Sequence, residues 1–438
     1  MPNSKKLILF NSAIMLSGRA MIILFSVITG IFLARSLGPD ARGSLAVIIL
    51  SINLLSIIFE LGGPQAIIYL IGKEIYKENE LFFSIFVTSV FFSFLSMAIL
   101  FPLMRLLSSF ELILQIAFCF GVATSITISY LRHALLAKEK FISYSLNILI
   151  EVLIYLILIL YLYFFDPLSF TRDNVVVSYS FSVAFALLIC FFQLLRRLNL
   201  YEILMANFRL DIVLESFKRG FYLFIAGVSG FLQQRIIYFL LSQFLSAKSV
   251  GLYTIASTIP NLFANVPQQI ATVLYANSSK SQTTLDNKIN ASVLIFMLQA
   301  VSMLSIFFSI FIWPFSELII VTIFGDEYAG VGSIFVILIF GAGAMGVVTL
   351  IFNTLAGIGL HKEFSYVSIG CTLLICVFSY LGISYLGLLG AAISQSIVSI
   401  IACLWGIRLF SYHYEVEVGD LIKSPFYHWK VLNRGELK

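Results

Sequence analysis

The sequence contains few charged residues. Lysine, arginine, aspartate and glutamate make up 11% of its 438 residues, whereas hydrophobic residues make up 60% and the mean hydropathy is +1.02. A typical soluble domain has about 25% charged and about 45–50% apolar residues. Because so few charges cannot form a water-exposed surface around a chain of this length, the composition excludes a soluble enzyme, a disordered chain and a nucleic-acid-binding domain.

Cysteine, histidine and proline are also scarce. The five cysteines all lie inside apolar runs, where a thiol behaves as a small hydrophobe, so we predict neither a disulfide framework nor a redox role. The four histidines do not cluster with cysteines or carboxylates, so we predict no metal site and no cofactor. With only nine prolines and 15% aromatic residues, the chain favours helices over a barrel of alternating strands.

Long apolar runs dominate what remains. A membrane-spanning helix needs about 20 apolar residues, and twelve such runs are present. They cover residues 7–33, 44–72, 81–107, 111–131, 141–165, 175–195, 220–244, 250–276, 289–315, 330–358, 364–386 and 388–410. The sequence therefore predicts an all-α polytopic membrane protein with about twelve transmembrane helices.

The runs divide into two halves of six. We predict an N-terminal lobe over 1–200, a linker over 201–218, a C-terminal lobe over 219–410 and a cytoplasmic tail over 411–438. The linker is basic and has apolar residues one helical turn apart (Leu204, Phe208, Ile212), which indicates an amphipathic helix on the membrane surface.

Weak similarities relate the two halves. FLARSLGPDARGSLAV around Gly43 corresponds to LLSQFLSAKSVGLYTI around Gly251, and HALLAKEKF to AGIGLHKEF. Because each half has six spans, the two repeats have the same orientation in the membrane.

The distribution of basic residues sets the predicted orientation. With a cytoplasmic N-terminus, 20 lysines and arginines fall on the cytoplasmic side and five on the outer side. Basic residues concentrate on the cytoplasmic side of membrane proteins. We therefore predict that both termini are cytoplasmic.

The segment after the first span carries the most specific pattern, Ala34-Arg35-Ser36-Leu37-Gly38-Pro39-Asp40-Ala41-Arg42-Gly43. Together with the six-plus-six layout, it resembles the oligosaccharide flippase family, the O-antigen and polysaccharide transporter branch of the multidrug/oligosaccharidyl-lipid/polysaccharide exporter superfamily. The resemblance implies two six-helix lobes around a central cavity in a bacterial cytoplasmic (inner) membrane. It also implies a substrate, an oligosaccharide on a polyprenyl diphosphate, that moves from the inner to the outer leaflet.

Four charged residues lie inside predicted spans, where each costs about 2.5–3.5 kcal/mol on insertion scales. Arg19 and Arg235 lie in the first helix of each half, and two guanidiniums across a cavity suit a diphosphate. The alternative is that each arginine pairs with Glu60 or Glu151 and only fixes helix packing. Glu151 is equally a candidate for a coupling-ion or proton site.

Prolines and amides mark the second helices of the two halves. Pro64, after two glycines and close to Glu60, predicts a helix break, and Pro260 and Pro267 predict an interruption of span 8. Such breaks occur where they line a cavity, although Glu60 in a plain hinge would only bond a neighbouring hydroxyl. Sugar contacts and interhelical hydrogen bonds use the same amide side chains. The amides in spans 2, 7 and 8 are Asn53, Gln65, Gln233, Gln234, Asn261, Asn265, Gln268 and Gln269.

Two other functional classes compete with the flippase interpretation. A membrane enzyme acting on lipid-linked sugars needs a large outer loop or a carboxylate cluster, and the chain offers only Asp326-Glu327, so we predict that it is not an enzyme. A multidrug/cation antiporter is the alternative, but central arginines repel cationic drugs. The predicted partners are the lipid-linked oligosaccharide, the bilayer and the polysaccharide polymerase machinery. The coupling ion, H+ or Na+, stays open.

Overall fold

The computed structural model describes residues 2–72, 76–138, 140–195, 206–278, 284–357 and 361–414. Within these ranges every regular element is a helix, with short 3-10 turns at Pro167–Ser169, Trp313–Phe315 and Asp326–Tyr328. The α-helices are α1 (Pro2–Glu60), α2 (Gly63–Gly72), α3 (Glu78–Leu107), α4 (Leu112–Ala137), α5 (Phe141–Phe164), α6 (Arg172–Leu195), α7 (Leu210–Phe244), α8 (Ala247–Ser278), α9 (Thr284–Ile312), α10 (Ser316–Phe324), α11 (Gly332–Gly357) and α12 (His361–Tyr414).

Two of these helices are long enough for two membrane crossings each. Eight helical segments in the described ranges are long and apolar enough to cross a membrane, and two of them, Ser17–Glu60 and Tyr366–Tyr414, contain 44 and 49 residues. The first contains residues 17–33 of predicted span 1 and the start of span 2, and the second contains span 11 from residue 366 and all of span 12. Helices α7 and α8 correspond to predicted spans 7 and 8, but they are not among the eight segments that are long and apolar enough to cross a membrane. The predicted all-α membrane fold is confirmed.

Glycines divide the two long helices at the predicted span boundaries. Gly38 in α1 has φ 68° and ψ 173°, and Gly387 in α12 has φ 58° and ψ −132°. Glycine adopts positive φ values at little cost because it lacks a Cβ. Each glycine therefore lets one apolar helix end and the next begin with almost no connecting loop.

The chain forms two compact units, Met1–Phe231 (the N-unit) and Leu232–Lys438 (the C-unit). In the N-unit, α4 lies at the centre, with 67% of its most apolar window buried. Hydroxyls tie it to its neighbours: Ser180 Oγ donates to the Ala117 carbonyl at 2.8 Å, and Ser93 Oγ donates to the Ala123 carbonyl at 2.7 Å. Small residues and interhelical hydrogen bonds are typical of helix packing in membranes.

In the C-unit, α11 packs against α8, α9 and α12. Its glycines permit the close approach, because a Cβ on Gly341 would clash with Ser396 and one on Gly343 would clash with Ser305. Ser396 Oγ also donates to the Ile337 carbonyl at 2.8 Å. Within each unit, a serine hydroxyl therefore donates to a backbone carbonyl of a neighbouring helix.

The predicted surface linker differs from the structure. Residues 196–205, with Leu204, lie outside the described ranges, and residues 206–209 are not helical. The helix begins at Leu210 and continues into span 7 without interruption. Ile212, predicted to lie on the membrane, is 0% exposed and belongs to the N-unit core. No separate surface helix is present over residues 206–218, because residues 206–209 are not helical and residues 210–218 are the start of α7. Of the predicted apolar face, Ile212 is buried and Phe208 is 46% exposed.

Arg209 fixes the start of α7 to α3. Its backbone N–H donates to Ser84 Oγ at 3.0 Å, and its guanidinium contacts Glu80 at 3.2 Å and Asp211 at 2.5 Å. The guanidinium also lies 5.2 Å from the centre of the Tyr76 ring. Hydrogen bonds from Arg209 hold the pKa of the Asp211 carboxyl below its usual range. The predicted tail beyond Tyr414 lies outside the described residues.

Candidate functional site

The predicted break before Pro64 coincides with a change of backbone direction. Helix α1 ends at Glu60, Leu61 and Gly62 have φ values of 49° and 75°, and α2 begins at Gly63. Pro64 occupies the first turn of α2, where a helix needs no backbone N–H from it. The Gly62 carbonyl accepts the first hydrogen bond of α2, from Ala66 N at 3.3 Å.

Two neighbouring helices enclose this break. Tyr130 of α4 donates its hydroxyl to the Glu60 carbonyl at 3.0 Å, which satisfies a backbone group that α1 leaves unpaired at its end. The backbones of Gly62 and Gly220 approach so closely that a Cβ on either residue would overlap the other. A Cβ on Gly63 would similarly overlap Tyr130. The break is therefore a packed part of the N-unit.

Glu60 is 5% exposed, and its carboxyl has Ser129 of α4 as a side-chain hydrogen-bond partner. In the part of the chain that the structure describes, no ion pair includes Glu60. The geometry agrees with the simpler of the two interpretations of Glu60, a carboxyl bonded to a neighbouring hydroxyl. It places a buried acid beside a break in a membrane helix.

Glu151 has a partner that the sequence did not indicate. Arg132 Nη2 lies 2.5 Å from Glu151 Oε2, and Arg132 Nε donates to Asn147 Oδ1 at 2.7 Å. Asn147 is 0% exposed, and its Nδ2 donates a further hydrogen bond to the Ala186 carbonyl at 2.8 Å. The suggestion that Glu151 pairs with Arg19 is wrong for this structure. Arg132 lies just outside the predicted span 111–131, but α4 extends through it to Ala137.

A cavity of about 240 Å³ lies beside Glu151 within the N-unit. It is lined by residues of α1, α5 and α6, including Arg42, Tyr155 and Tyr179. The rings of Tyr155 and Tyr179 meet edge to face with centres 5.7 Å apart, and Tyr179 donates its hydroxyl to Asn53 Oδ1 at 3.3 Å. Asn53, a predicted sugar contact, is thus held by a tyrosine at the edge of this cavity.

The remaining predicted residues of the N-unit occupy varied settings. Arg19 is exposed on α1. Gln65 is half-buried at the start of α2, and its Oε1 atom is buried with no hydrogen-bond partner in the described residues. Neither residue lines the cavity beside Glu151.

In the C-unit, the arginine and amides lie along α7 and α8. Arg235 is half-buried, with its guanidinium 5.7 Å from the centre of the Tyr238 ring. Gln233 is half-buried, whereas Gln234 and Asn261 are exposed. The side chains of Asn265, Gln268 and Gln269 lie outside the described residues.

The predicted interruption of span 8 is wrong. Helix α8 continues from Ala247 to Ser278 with Pro260 and Pro267 inside it. A proline removes one hydrogen bond and bends a helix, but it does not by itself end one. Neither proline is preceded by a pair of glycines, unlike Pro64, so the turns around both keep helical backbone angles.

The residues that sequence reasoning missed are Arg42, Arg132, Tyr155 and Tyr179. Both arginines lie outside the predicted spans, Arg42 between residues 33 and 44 and Arg132 after residue 131. A usable signal was present in the spacing of Asn147 and Glu151, which lie four residues apart and so share one face of α5. The described residues contain no group of histidine, cysteine and acidic side chains suited to a metal ion.

Solved structures with similar folds are membrane transporters. The chain is similar to an inward-facing multidrug resistance MATE family transporter of the MOP superfamily (TM-score 0.72, 16% identity, covering 94% of this chain and 99% of that one). It is also similar to the lipid II flippase MurJ in an inward closed conformation (TM-score 0.69, 14% identity, 97% and 93%). A third is a MOP superfamily transporter from Pyrococcus furiosus whose reversed pocket polarity suggests a different function (TM-score 0.61, 16% identity, 96% and 97%).

At these identities, the similarities establish the fold alone. No curated protein sequence matches the chain. A family model described as polysaccharide biosynthesis protein matches residues 32–332, which is more than half of the chain and includes Glu60, Glu151 and Arg235. The chain, with the fold of a MOP superfamily transporter, therefore belongs to this polysaccharide biosynthesis protein family.

Proposed function

We propose that the protein is a flippase that moves an oligosaccharide linked to polyprenyl diphosphate from the inner to the outer leaflet. One combination carries this proposal: the sequence belongs to a polysaccharide biosynthesis family, while the fold is that of membrane transporters. A transporter serving polysaccharide synthesis must move an intermediate across the membrane where the polymer is made. The similarity of the fold to that of a lipid II flippase adds support.

The proposed mechanism is alternating access by two lobes around the head group of the lipid. Arg19 and Arg235 would grip the diphosphate through paired N–H donors, while the polyprenyl chain stays in the surrounding lipid. Both arginines lie in predicted spans, where an unused charge is costly. The transition between the inward and outward states would then exchange the diphosphate between the two faces of the membrane.

The two acids contribute differently to this proposal. Glu151 is already paired with Arg132, so its charge is compensated. Glu60 is buried against Ser129 beside a helix break and forms no ion pair in the described ranges, which makes it the better candidate for a coupling site for H+ or Na+. The predicted sugar contacts are the amides Asn53, Gln65, Gln233, Gln234, Asn261 and Gln268.

We place the protein in a bacterial cytoplasmic membrane with both termini in the cytoplasm. The 20 basic residues on the predicted cytoplasmic side support this orientation. The cargo would be an O-antigen or another surface polysaccharide unit, delivered to a polymerase on the outer face. The proposal assigns no chemical step to the protein, and Glu317, the acid nearest the Asp326-Glu327 pair along the chain, already binds the backbone N–H groups of Gly330 and Gly332.

A multidrug/cation antiporter is the second candidate, and the MATE structure with a TM-score of 0.72 favours it. A cation site requires a carboxylate without a basic partner, and Glu60 fits that description in the described residues. The ion pair of Arg132 and Glu151 and the central arginines argue against a cationic substrate, because like charges repel strongly at low dielectric.

A gene-deletion strain separates the two candidates. Lipids are extracted, and lipid-linked oligosaccharide is quantified against surface polymer. We expect the lipid-linked intermediate to accumulate on the cytoplasmic leaflet while surface glycan is lost, and the mass of the intermediate will identify the sugar. Unchanged glycan together with increased sensitivity to cationic drugs would favour the antiporter.

Substituting the arginines tests the diphosphate assignment. We expect Arg19→Gln and Arg235→Gln each to reduce export about tenfold or more, because a hydrogen bond to a charged group contributes about 1.5–3 kcal/mol. Export is measured in the deletion strain at matched expression. Arg105→Gln is the control, because Arg105 is an exposed arginine at the end of α3. Normal export by the double variant would refute the assignment.

A further inference from the structure

A second cavity of the N-unit lies between α3, α4 and α6 and has a volume of about 310 Å³. Some of the residues that line it are buried, such as Ser93, Ala123 and Thr127, which are 8%, 6% and 7% exposed. Others lie at the surface, such as Phe94 and Leu188, which are 68% and 56% exposed. The cavity is therefore a groove (the α3–α4–α6 groove) that reaches from the surface of the unit into the space between the helices.

The groove has almost no polar surface. Three hydroxyl groups line it, those of Ser93, Thr124 and Thr127, and the other lining side chains are apolar. Ser93 Oγ donates to the Ala123 carbonyl at 2.7 Å, and it lies 2.8 Å from Thr127 Oγ1. Thr124 Oγ1 donates to the Phe120 carbonyl at 2.8 Å. Because these hydroxyls already form hydrogen bonds within the protein, the groove fits a ligand that has no polar groups of its own.

The groove lies at mid-depth along its helices. On α3 its lining residues run from Phe86 to Met97 and on α4 from Phe120 to Leu131, about 16 Å along each helix axis. Both stretches lie more than one helical turn inside the ends of these membrane spans. At this depth the bilayer is hydrocarbon, and an apolar groove stays free of water. An unfilled groove would lose the dispersion contacts of its lining, so a hydrocarbon chain is the fitting occupant.

We propose that the α3–α4–α6 groove binds one acyl chain of a bilayer phospholipid. The groove is continuous with the exposed apolar surface of three membrane helices. Its length of about 16 Å is about half of the ~30 Å hydrocarbon core, which is the reach of a chain from one leaflet. Its volume spread over that length gives a cross-section of about 20 Å², the width of a single unbranched chain.

Two other occupants fit the groove less well. A polyprenyl chain carries a methyl branch on every isoprene unit, so it is wider than an unbranched chain. A helix of a second copy of this protein has a diameter of about 10–12 Å with its side chains and is too wide to enter. Lipid chains are as apolar as leucine, so close packing holds the chain in the groove. The site does not involve the transported cargo and goes beyond the proposed function.

Photo-crosslinking of the full-length protein in phosphatidylcholine vesicles tests the proposal. A small fraction of the phosphatidylcholine carries a diazirine near the middle of one acyl chain, and the labelled residues are mapped by peptide mass spectrometry. We expect label on the buried residues Ala123 and Thr127, which a chain reaches only by entering the groove, as well as on exposed residues such as Phe91. Label confined to exposed residues would overturn the proposal.

Substitutions that fill the groove sharpen this test. Val90 lines the groove and is half-buried, so Val90→Phe should lower the labelling of Ala123 and Thr127 about tenfold, because a close-packed site has no room for both ring and chain. Leu187→Phe is a second filling variant, from α6. Val87→Phe is the control, because Val87 is half-buried on α3 but does not line the groove. Unchanged labelling in both filling variants, or an equal loss in the control, would overturn the proposal.

Competition distinguishes the acyl chain from the other occupants. Polyprenyl phosphate is added at the same mole fraction as the photoreactive phospholipid, and we expect the labelling of Ala123 to stay unchanged. Loss of that label would assign the groove to a polyprenyl tail and overturn the acyl-chain assignment. Loss of the label at high protein-to-lipid ratios, together with crosslinked dimers, would show instead that a second copy covers the groove.

Discussion

The predicted second span of each half contains proline, but the helix is broken in the N-unit and continuous in the C-unit. In the N-unit, the chain changes direction at Leu61 and Gly62, directly before Pro64. In the C-unit, α8 continues through Pro260 and Pro267. The difference lies in the surrounding residues, since only the first site combines positive-φ backbone with neighbours that satisfy the freed groups. A helix break in a membrane therefore depends on its partners more than on its proline.

The largest expected effect comes from adding a methyl group at the N-unit break. Gly62→Ala would place a Cβ against the backbone of Gly220 and hold a non-glycine residue at φ 75°. The left-handed backbone costs about 1–2 kcal/mol and overpacking a further ~1–3 kcal/mol. We expect a loss of about 3 kcal/mol, measured as a lower Tm of the purified protein in detergent. A Tm equal to that of the unsubstituted protein would mean that the break is not fixed by this contact.

The matched substitution at the other glycine of this contact, Gly220→Ala, should have a smaller effect on stability. Gly220 lies inside α7 with helical angles, so Gly220→Ala meets the overlap with Gly62 but also gains about 0.8–1.0 kcal/mol of helix propensity. We expect a net loss of about 1–2 kcal/mol by the same measurement. Because Gly62 and Gly220 touch, the effect of the double variant should differ from the sum of the single effects. Strict additivity would contradict a direct contact.

The sequence predicted the fold well because its signals there are local. Apolar runs located the helices, and Gly387 fell between two predicted spans, where α12 changes direction. It also located the break at Pro64, where two glycines and a proline are adjacent. It did not locate the ion pair of Arg132 and Glu151, since that contact joins two helices and depends on how far α4 extends.

Two other predictions, of the surface linker and of the break in span 8, are also wrong because they depend on contacts between helices. An amphipathic pattern including Ile212 predicts an apolar face but does not distinguish a lipid surface from a protein core, and the structure places Ile212 in the core. Prolines predict a missing hydrogen bond but not whether neighbours allow the helix to continue, as α8 does. The cavity at Arg42 and Tyr155 needs three helices to form, and no local pattern predicts it.

A smaller effect is expected from the hydrogen bond that closes the N-unit break. Tyr130→Phe removes the hydroxyl that donates to the Glu60 carbonyl at 3.0 Å while keeping the ring in the core. We expect a loss of about 1 kcal/mol, the usual net value of one such bond. Tyr238→Phe is the control in the C-unit, because its hydroxyl contacts the Ser257 side chain at 2.8 Å instead of a helix end. A much lower export activity for Tyr130→Phe than for Tyr238→Phe at equal Tm would indicate that the break also moves during transport.

The smallest effects are expected at the prolines themselves. Pro64 lies in the first turn of α2, where no N–H is required, so Pro64→Ala should lower stability by about 0.4–1 kcal/mol through unfolded-chain entropy and further through the lost packing of its buried ring. Pro260 lies inside α8 and is buried, so Pro260→Ala restores a helical hydrogen bond but loses part of the ring packing, and the two changes oppose each other. We therefore expect Tm to fall slightly for Pro64→Ala and to stay level or rise for Pro260→Ala. A large destabilisation by Pro64→Ala would show that the proline, and not the glycine backbone with its partners, creates the break in the N-unit.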